Sequence, residues 1–594
     1  MSDLPPFDAN ISRHLALMAA ARAAEPALKI PRGRTHAGNI DYLTLTFAEL
    51  NAEATAWHAR LVACGVRRGD RVLVMVRQGL PLIASAFALF RLGAVPVIID
   101  PGMGRKNFLA AVARTRPRAL VGIPLARLFS HLFRRAFASV EIRVAASGNL
   151  AARLTDRGPE DRGQMPEARS QRPNTEIQIP NSKFDHSAST PHSASIDDLA
   201  AILFTSGSTG APKGVRYTHG NFDAQVRLVR DTYGLVSGEV DLPLLPIFAL
   251  FNPALGLTTI VPEIDPRRPA ALDPAKIVQA IRQENVTNSF GSPTLWAKIS
   301  AHCRAANVTL PSLRRVLCAG APVPAALWRD TAMWMPNGRL HSPYGATEAL
   351  PIATISDVET MALQDKFEAA HSPSRANLEP QPSTPGGACL GHPIREIQVK
   401  LIAPTDAPLT TLADAIELPP NEPGEIIVSG PVVTESYDGN TDATKAAKIQ
   451  GTHGAVWHRM GDIGYLDATG DLWFCGRKAE RVYTSAGPLD TEPCEQVFRA
   501  HPRAARCALI GLGECPAQRP ALVAETTVAD SREGRALARE LRALALTSTA
   551  TAAIKIFYFR GKFPVDVRHN AKIHRLTLAR WAATATGYES DPKR

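Results

Sequence analysis

The chain has 594 residues, 45% of them hydrophobic and 21% charged, with a formal net charge of +11. That length exceeds what one hydrophobic core organises, and that composition excludes a disordered or fibrous chain. The basic residues are scattered, with no long block of like charge and no zinc-finger or RNA-binding signature, so nucleic acid is not an expected partner.

The N-terminal stretch MSDLPPFDANISRH lacks the basic-then-apolar order of a signal peptide. Residues 45–59, LTFAELNAEATAWHA, space Leu, Ala and Trp as a helix does. Arg71–Val76 predicts a buried strand, Ile83–Leu92 a helix and Ala94–Ile99 a second strand. Strand, helix and strand in alternation predict an α/β fold with parallel sheets flanked by helices. Residues 155–196 are polar and rich in Pro and Ser. Such a segment buries too little apolar surface to offset its ordering entropy, which predicts a disordered surface insertion. A second insertion is expected over Glu368–Pro385. Neither is expected to carry chemistry.

A short apolar run, Leu199–Phe204, leads straight into FTSGSTGAPKG, residues 204–214. Gly207, Gly210 and Gly214 let the backbone curl its N–H groups around an anion. Thr205, Ser206, Ser208 and Thr209 add hydroxyl donors, and Lys213 adds a point charge. This chemistry fits a polyphosphate. The pattern is not the Walker loop, which places Gly-Lys-Ser/Thr after its spacer.

The uncharged run Leu242–Pro262 is long enough to span a bilayer. Its prolines at 243, 246, 253 and 262 break any continuous helix, so it is expected to form a buried pocket wall, with no transmembrane segment. A strand at Leu313–Leu317 leads into CAGAPV, a small-residue turn on which a flat base could lie. In YGATEALP, from Tyr344, Thr347 offers a hydroxyl for an α-phosphate and Glu348 a carboxylate for Mg2+. In WHRMGDIGYLD, Asp462 could accept hydrogen bonds from two ribose hydroxyls.

The chain changes character near Arg477. A strand at Arg506–Ile510 and a helix around Glu533–Leu546 predict a small C-terminal α+β domain. The expected division is a large domain over 1–477 and a small mobile domain over 478–594, hinged near 477–480. The eight cysteines lie far apart and no C-x-x-C occurs, which points to reduced thiols and a cytoplasmic protein.

These blocks, in this order and spacing, resemble the adenylate-forming superfamily: acyl-CoA synthetases, luciferases and peptide-synthetase adenylation domains. The resemblance runs from about residue 40 to the C-terminus. Within it, PIFALFNPALGLTTIVPEIDPRRPA, TNSFGSPTLW and VRHNAKIHR resemble the β-lactone synthetases of bacterial olefin biosynthesis. The resemblance implies ATP and Mg2+ as cofactors and Thr205–Gly210 with Lys213 as the phosphate loop. It implies an adenine pocket lined by Gly320, Ala321 and Pro322, with Tyr344 stacked on the base. Asp462 and Arg477 would hold the nucleotide, and Lys572 would bridge carboxylate and α-phosphate. Lys562 is the competing lysine. Phe248, Phe251 and Asn252 would line the acyl site.

The implied reaction activates a carboxylic acid as acyl-AMP. In the β-lactone branch the acid is a long-chain 2-alkyl-3-hydroxy acid, which then closes to the lactone with loss of AMP. The alternative is transfer to CoA or a carrier protein. Two departures bear on this choice. Phe248-Ala249 stands where many relatives carry a histidine after the aromatic. Ala479 stands two places after Arg477, where thioester-forming relatives often carry Asp or Lys. Partner enzymes of an acyl-condensing pathway are a further expectation.

Overall fold

The computed structural model describes residues 8–146, 192–205, 212–265, 268–370, 386–565 and 573–590. Two sheets form the body of the first part of the chain. One runs Ile142–Ala145, Ala119–Gly122, Arg71–Met75, Val95–Ile98, Leu199–Thr205 and Lys213–Thr218, parallel except for the last pair. The other has eight strands, with a parallel centre and one antiparallel strand at each edge, Ile40–Thr46 and Ala349–Ser356. Helices Phe47–Ala63 and Leu80–Leu92 share a single core with strands of both sheets: Leu28 and Leu45 on one side, Val72 and Val121 on the other. Helices on sheet faces are what the alternating pattern predicts.

Local chemistry sets several boundaries. The helix expected over 45–59 begins at Phe47, because Thr46 caps it in a reciprocal pair with Glu49. Leu45 instead pairs with the strand Pro26–Arg34. The expected insertion 155–196 lies mostly outside the described residues. Its end does not fit that expectation. Ala194 is buried, its carbonyl accepts from the Ala9 N–H at 2.9 Å, and the His192 carbonyl accepts from Asn10 Nδ2 at 2.8 Å. The second expected insertion begins inside a helix, Asp357–Ala370, and its remainder to 385 lies outside the described residues.

The run Leu242–Pro262 is broken as its prolines require: a 3-10 turn at Pro246–Leu250, a short helix Asn252–Leu255 and the strand Thr258–Ile260. No helix among the described residues is long and apolar enough to cross a membrane.

An antiparallel sheet follows, with Gly424–Ser429, Val456–Leu466 and Leu472–Arg477 in its middle. After it comes the 3-10 turn Lys478–Glu480. The last part is a four-stranded sheet containing Cys507–Leu512 and Arg519–Ala524, packed against helices Thr491–Arg499 and Ser531–Ala545. Arg575 ties this part to the turn, with Nη1 on Glu480 at 2.8 Å and a fork on Glu495 at 2.8 Å for each arm.

Candidate active site

The strand Lys213–Thr218 pairs antiparallel with Leu199–Thr205, and Thr205 stands opposite Lys213. The segment between them, Ser206, Gly207, Ser208, Thr209 and Gly210, lies outside the described residues, as does Lys572. The hairpin base is tightly packed. A Cβ on Gly214 would sit 2.9 Å from Phe204 Cζ and 3.0 Å from Ile202 Cγ2, so glycine is required there by space as well as by pattern.

Lys213 reaches out of this hairpin to the Tyr437 ring, 4.9 Å from its centroid. The Tyr437 hydroxyl in turn donates to Glu348 Oε1 at 2.8 Å. Burial and the Glu348 charge raise the phenol far above its ordinary range, so it stays a donor. The neighbouring residue, Asp438, is forked by Arg71 at 2.7 and 3.1 Å and met by Arg216 at 3.3 Å. The Gly214 carbonyl accepts from the Asp438 N–H at 2.7 Å. These contacts lock the hairpin, the Glu348 turn and the segment 434–438 into one unit.

Behind Glu348 lies a buried cation. Lys448 Nζ donates to the Thr434 carbonyl and, at 3.4 Å, to its hydroxyl. Thr434 passes both its N–H and its O–H to the Glu348 carbonyl, at 2.9 and 3.1 Å. Burial pushes Lys448 down to about 7, against the pull of Glu348 and Glu435. His458 is held well below its usual value by burial and by Lys448. Thr347 contributes its carbonyl, which accepts from the Tyr217 hydroxyl.

Asp462 and Arg477 face each other on adjacent strands. Arg477 Nη1 lies 2.9 Å from Asp462 Oδ1, and the Tyr344 hydroxyl donates to Oδ2 at 2.6 Å. The Asp462 side chain is 3% exposed and that of Arg477 38%, so the carboxylate is sunk and the guanidinium opens to solvent. Burial and the Asp462 charge drive the Tyr344 phenol well above its ordinary value. Asp462 itself holds Arg477 above its own. Three blocks that stand far apart in sequence thus meet at one carboxylate. Gly320 adopts φ +98 just beyond the strand Arg315–Cys318, and it and Pro322 are exposed beside the half-buried Ala321.

A cavity of about 80 Å³ opens between the eight-stranded sheet and the helix His219–Tyr233. Phe248, Phe251 and Asn252 all line it. Phe248 stacks on Phe290 with centroids 3.5 Å apart. Asn252 is buried and holds Asp241 Oδ2 at 2.8 Å and Thr259 Oγ1 at 2.9 Å through Nδ2. Asp241, which sequence reasoning missed, also lines the cavity, and burial pushes its carboxyl up to about 7.

The chain matches the AMP-binding enzyme model over residues 24–438. This protein is an AMP-binding enzyme. It is 41% identical over 587 residues to the olefin β-lactone synthetase of Stenotrophomonas maltophilia, covering 97% of this chain and 98% of the relative. It is 39% identical over 587 residues to the protein of the same name in Xanthomonas campestris, covering 97% of each. The fold matches the O-succinylbenzoate coenzyme A synthetase of Bacillus subtilis in complex with AMP, with a TM-score of 0.69 at 20% identity over 97% of this chain and 99% of that one. The expected α/β architecture and the expected family therefore hold.

Tyr437, Thr434, Lys448 and Asp241 were not legible as site residues. Lys448 stands in the plain run KAAKIQ, and Tyr437 meets Glu348 across 89 residues of sequence.

Proposed function

We propose that this AMP-binding enzyme activates a long-chain 2-alkyl-3-hydroxy acid with ATP and closes the acyl-AMP to a β-lactone. The observation that carries this reading is the near-complete match to two olefin β-lactone synthetases. The cross-linked acids and cations described above supply the chemistry.

Acid activation brings two anions together, so positioning and charge neutralisation are the demands. The carboxylate oxygen attacks the α-phosphorus and pyrophosphate leaves. Asp462 offers acceptor oxygens suited to ribose hydroxyls, with Arg477 at the solvent edge of the same pocket. Tyr344 would carry the adenine, against Gly320, Ala321 and Pro322. The segment Thr205–Gly210 and Lys213 would hold the β- and γ-phosphates. Lys572 would bridge carboxylate and α-phosphate, while Thr347 would contact the latter.

Glu348 is the proposed Mg2+ ligand. Its Oε1 is bound to Tyr437, and its Oε2 takes no hydrogen bond from the described residues. No group of three or more His, Cys, Asp or Glu side chains able to hold a metal occurs among the described residues. An ion on Glu348 would therefore draw its other ligands from phosphate oxygens and water, as Mg2+ commonly does. Bound there, Mg2+ would offset phosphate charge.

In the second step the 3-hydroxyl oxygen attacks the acyl carbon, the bond to AMP breaks and the hydroxyl proton is lost. The nucleophile is already attached to the acyl group, which is what makes a strained four-membered closure accessible. Phe248 and Phe251 would guide the alkyl chains. A large domain over 1–477 and a small one over 478–594 are the proposed working parts. The eight cysteines are all free, which supports a cytoplasmic setting.

Product mass spectrometry tests this. Enzyme, Mg2+-ATP and a 2-alkyl-3-hydroxy acid, without CoA, should yield AMP and a product lighter than the acid by one water. An acyl-CoA product, or turnover only when CoA is added, returns the chain to the acyl-CoA ligases.

A further inference from the structure

One residue that lines the acyl cavity carries a hydrogen-bond acceptor with no donor among the described residues. Gln225 lies on the helix His219–Tyr233, is 2% exposed and lines the cavity. Its Nε2 donates to the Leu350 carbonyl at 3.0 Å and approaches the Tyr217 hydroxyl oxygen at 3.5 Å. Both neighbours require a donor. A carbonyl can only accept, and the Tyr217 proton is already given to the Thr347 carbonyl. The amide nitrogen is therefore fixed on that side, and the oxygen faces away. Gln225 Oε1 is buried and takes no hydrogen bond from any described residue. Leaving such an oxygen unpaired forfeits the hydrogen bond it makes with water in the unfolded chain.

The location narrows what could satisfy it. Gln225 is pinned through Leu350 and Tyr217 to the turn that carries Thr347 and Glu348, the end of the cavity nearest the proposed chemistry. The far end is marked by Asp241, level with Asn288 and Arg315 across three adjacent strands. Arg315 pairs with Arg339, and Tyr344 follows five residues later on that same strand. At about 3.3 Å per residue, that places the floor about 16 Å from the nucleotide end. The other polar groups of the lining are provided for. Asn288 bonds Glu239 and Thr287, Arg315 bonds Glu239, and Tyr233 bonds Thr354. Near the reacting end, Gln225 thus carries an acceptor left unpaired by the described residues, and Leu350, Pro351 and Phe251 line the same cavity.

We propose that Gln225 Oε1 accepts the hydrogen bond of the acyl group's 3-hydroxyl and so selects 3-hydroxy acids. The inference rests on the function proposed above and deepens it. The hydroxyl needs to lie beside the acyl carbon for ring closure, and an acceptor at this place turns its lone pairs towards that carbon while holding its proton. Gln225 is then a specificity-determining residue that touches substrate. An acid without the hydroxyl enters the same cavity but leaves Oε1 unpaired, and a site built to bond a hydroxyl rejects the analogue that lacks it.

The experiment compares a 2-alkyl-3-hydroxy acid with its 3-deoxy counterpart, reading kcat/KM for pyrophosphate release and the lactone by mass. The wild-type enzyme should favour the hydroxy acid by about 10–100-fold, the loss of one buried hydrogen bond. In Gln225→Met the ratio should fall towards unity, while the 3-deoxy acid is still turned over. A wild-type ratio near unity overturns the assignment before any variant is made. An undiminished ratio in Gln225→Met overturns it as well. The two proposals fail separately. Lactone formed without discrimination removes Gln225 and keeps the function. Discrimination with no lactone keeps Gln225 and removes ring closure.

Discussion

Two buried aspartates sit on strands of different sheets, and their surroundings are opposite. Asp462 is 2% exposed, yet an arginine lies at 2.9 Å and a phenol donates at 2.6 Å, so its carboxylate is compensated on both oxygens. Asp241 is 7% exposed and has only the Asn252 amide, so burial dominates and its proton is released only near pH 7. The proposed nucleotide side of this enzyme is built from compensated charge. The proposed acyl side is built from apolar surface with isolated polar atoms. Catalysis of anion by anion needs the first, and sorting of greasy acids needs the second.

The contrast can be broken most strongly at Asp462. Asp462→Ala strands the Arg477 guanidinium and the Tyr344 hydroxyl together. Losing a buried carboxylate that meets a cation and accepts a phenol hydrogen bond costs about 2–5 kcal/mol, so ATP affinity by calorimetry should fall by about 30-fold or more. An unchanged affinity would remove Asp462 from the nucleotide site.

Next in size is Lys448, a compensated group whose burial outweighs its partners. Its folded value, about 7, lies below the 10.5 of an unfolded lysine. The unfolded chain therefore binds more protons between these values, and stability should rise as pH climbs through that window. Lys448→Met should abolish that rise and melt a few degrees higher at pH 7. It should also lose activity about tenfold, because Thr434 no longer fixes the Glu348 turn. A variant that melts lower at pH 7 would show that the hydrogen bonds to Thr434 outweigh the cost of burying the cation.

The smallest effect is expected at Asp241. Its folded value lies above the ordinary 3.8, so its contribution runs the other way: stability is full at low pH and falls as pH rises from 3.8 to about 7. Asp241→Asn should flatten that fall and gain about 1 kcal/mol at pH 8 in denaturant titrations, with little change at pH 4. Equal gains at both values would mean that the carboxyl is not titrating there.

The sequence reveals these two sides unequally. The glycines and hydroxyls of residues 204–214 and the acids at 348 and 462 announce themselves, because anion chemistry needs particular residue types at close spacing. Parallel pairing was legible from the alternation at Arg71–Ile99, but the order of the strands was not. The acyl side was legible only as an apolar run, since Phe248 and Phe290 carry the same signature as any core pair. Gln225 and Lys448 were invisible for a different reason. Gln225 lies within a helix and Lys448 opens a short strand, and a polar residue in either place reads as solvent-facing until tertiary packing buries it. Leu45 misled because a strand and a helix meet at Thr46, and the apolar spacing runs through the junction.

The Arg575 fork has a mechanical consequence. One guanidinium grips Glu480, inside the turn Lys478–Glu480, and Glu495, in the core of the C-terminal part. Just upstream, Val565 and Ile573 bridge and close the ends of the segment that contains Lys572. Any rotation at the turn is therefore delivered as torque to the last helix and to the lysine's anchorage together. If the C-terminal part turns at the proposed hinge, it would do so as a crank with its handle clamped to its axle, and slack at Arg575 would then be felt as a mistimed Lys572 rather than as a lost one.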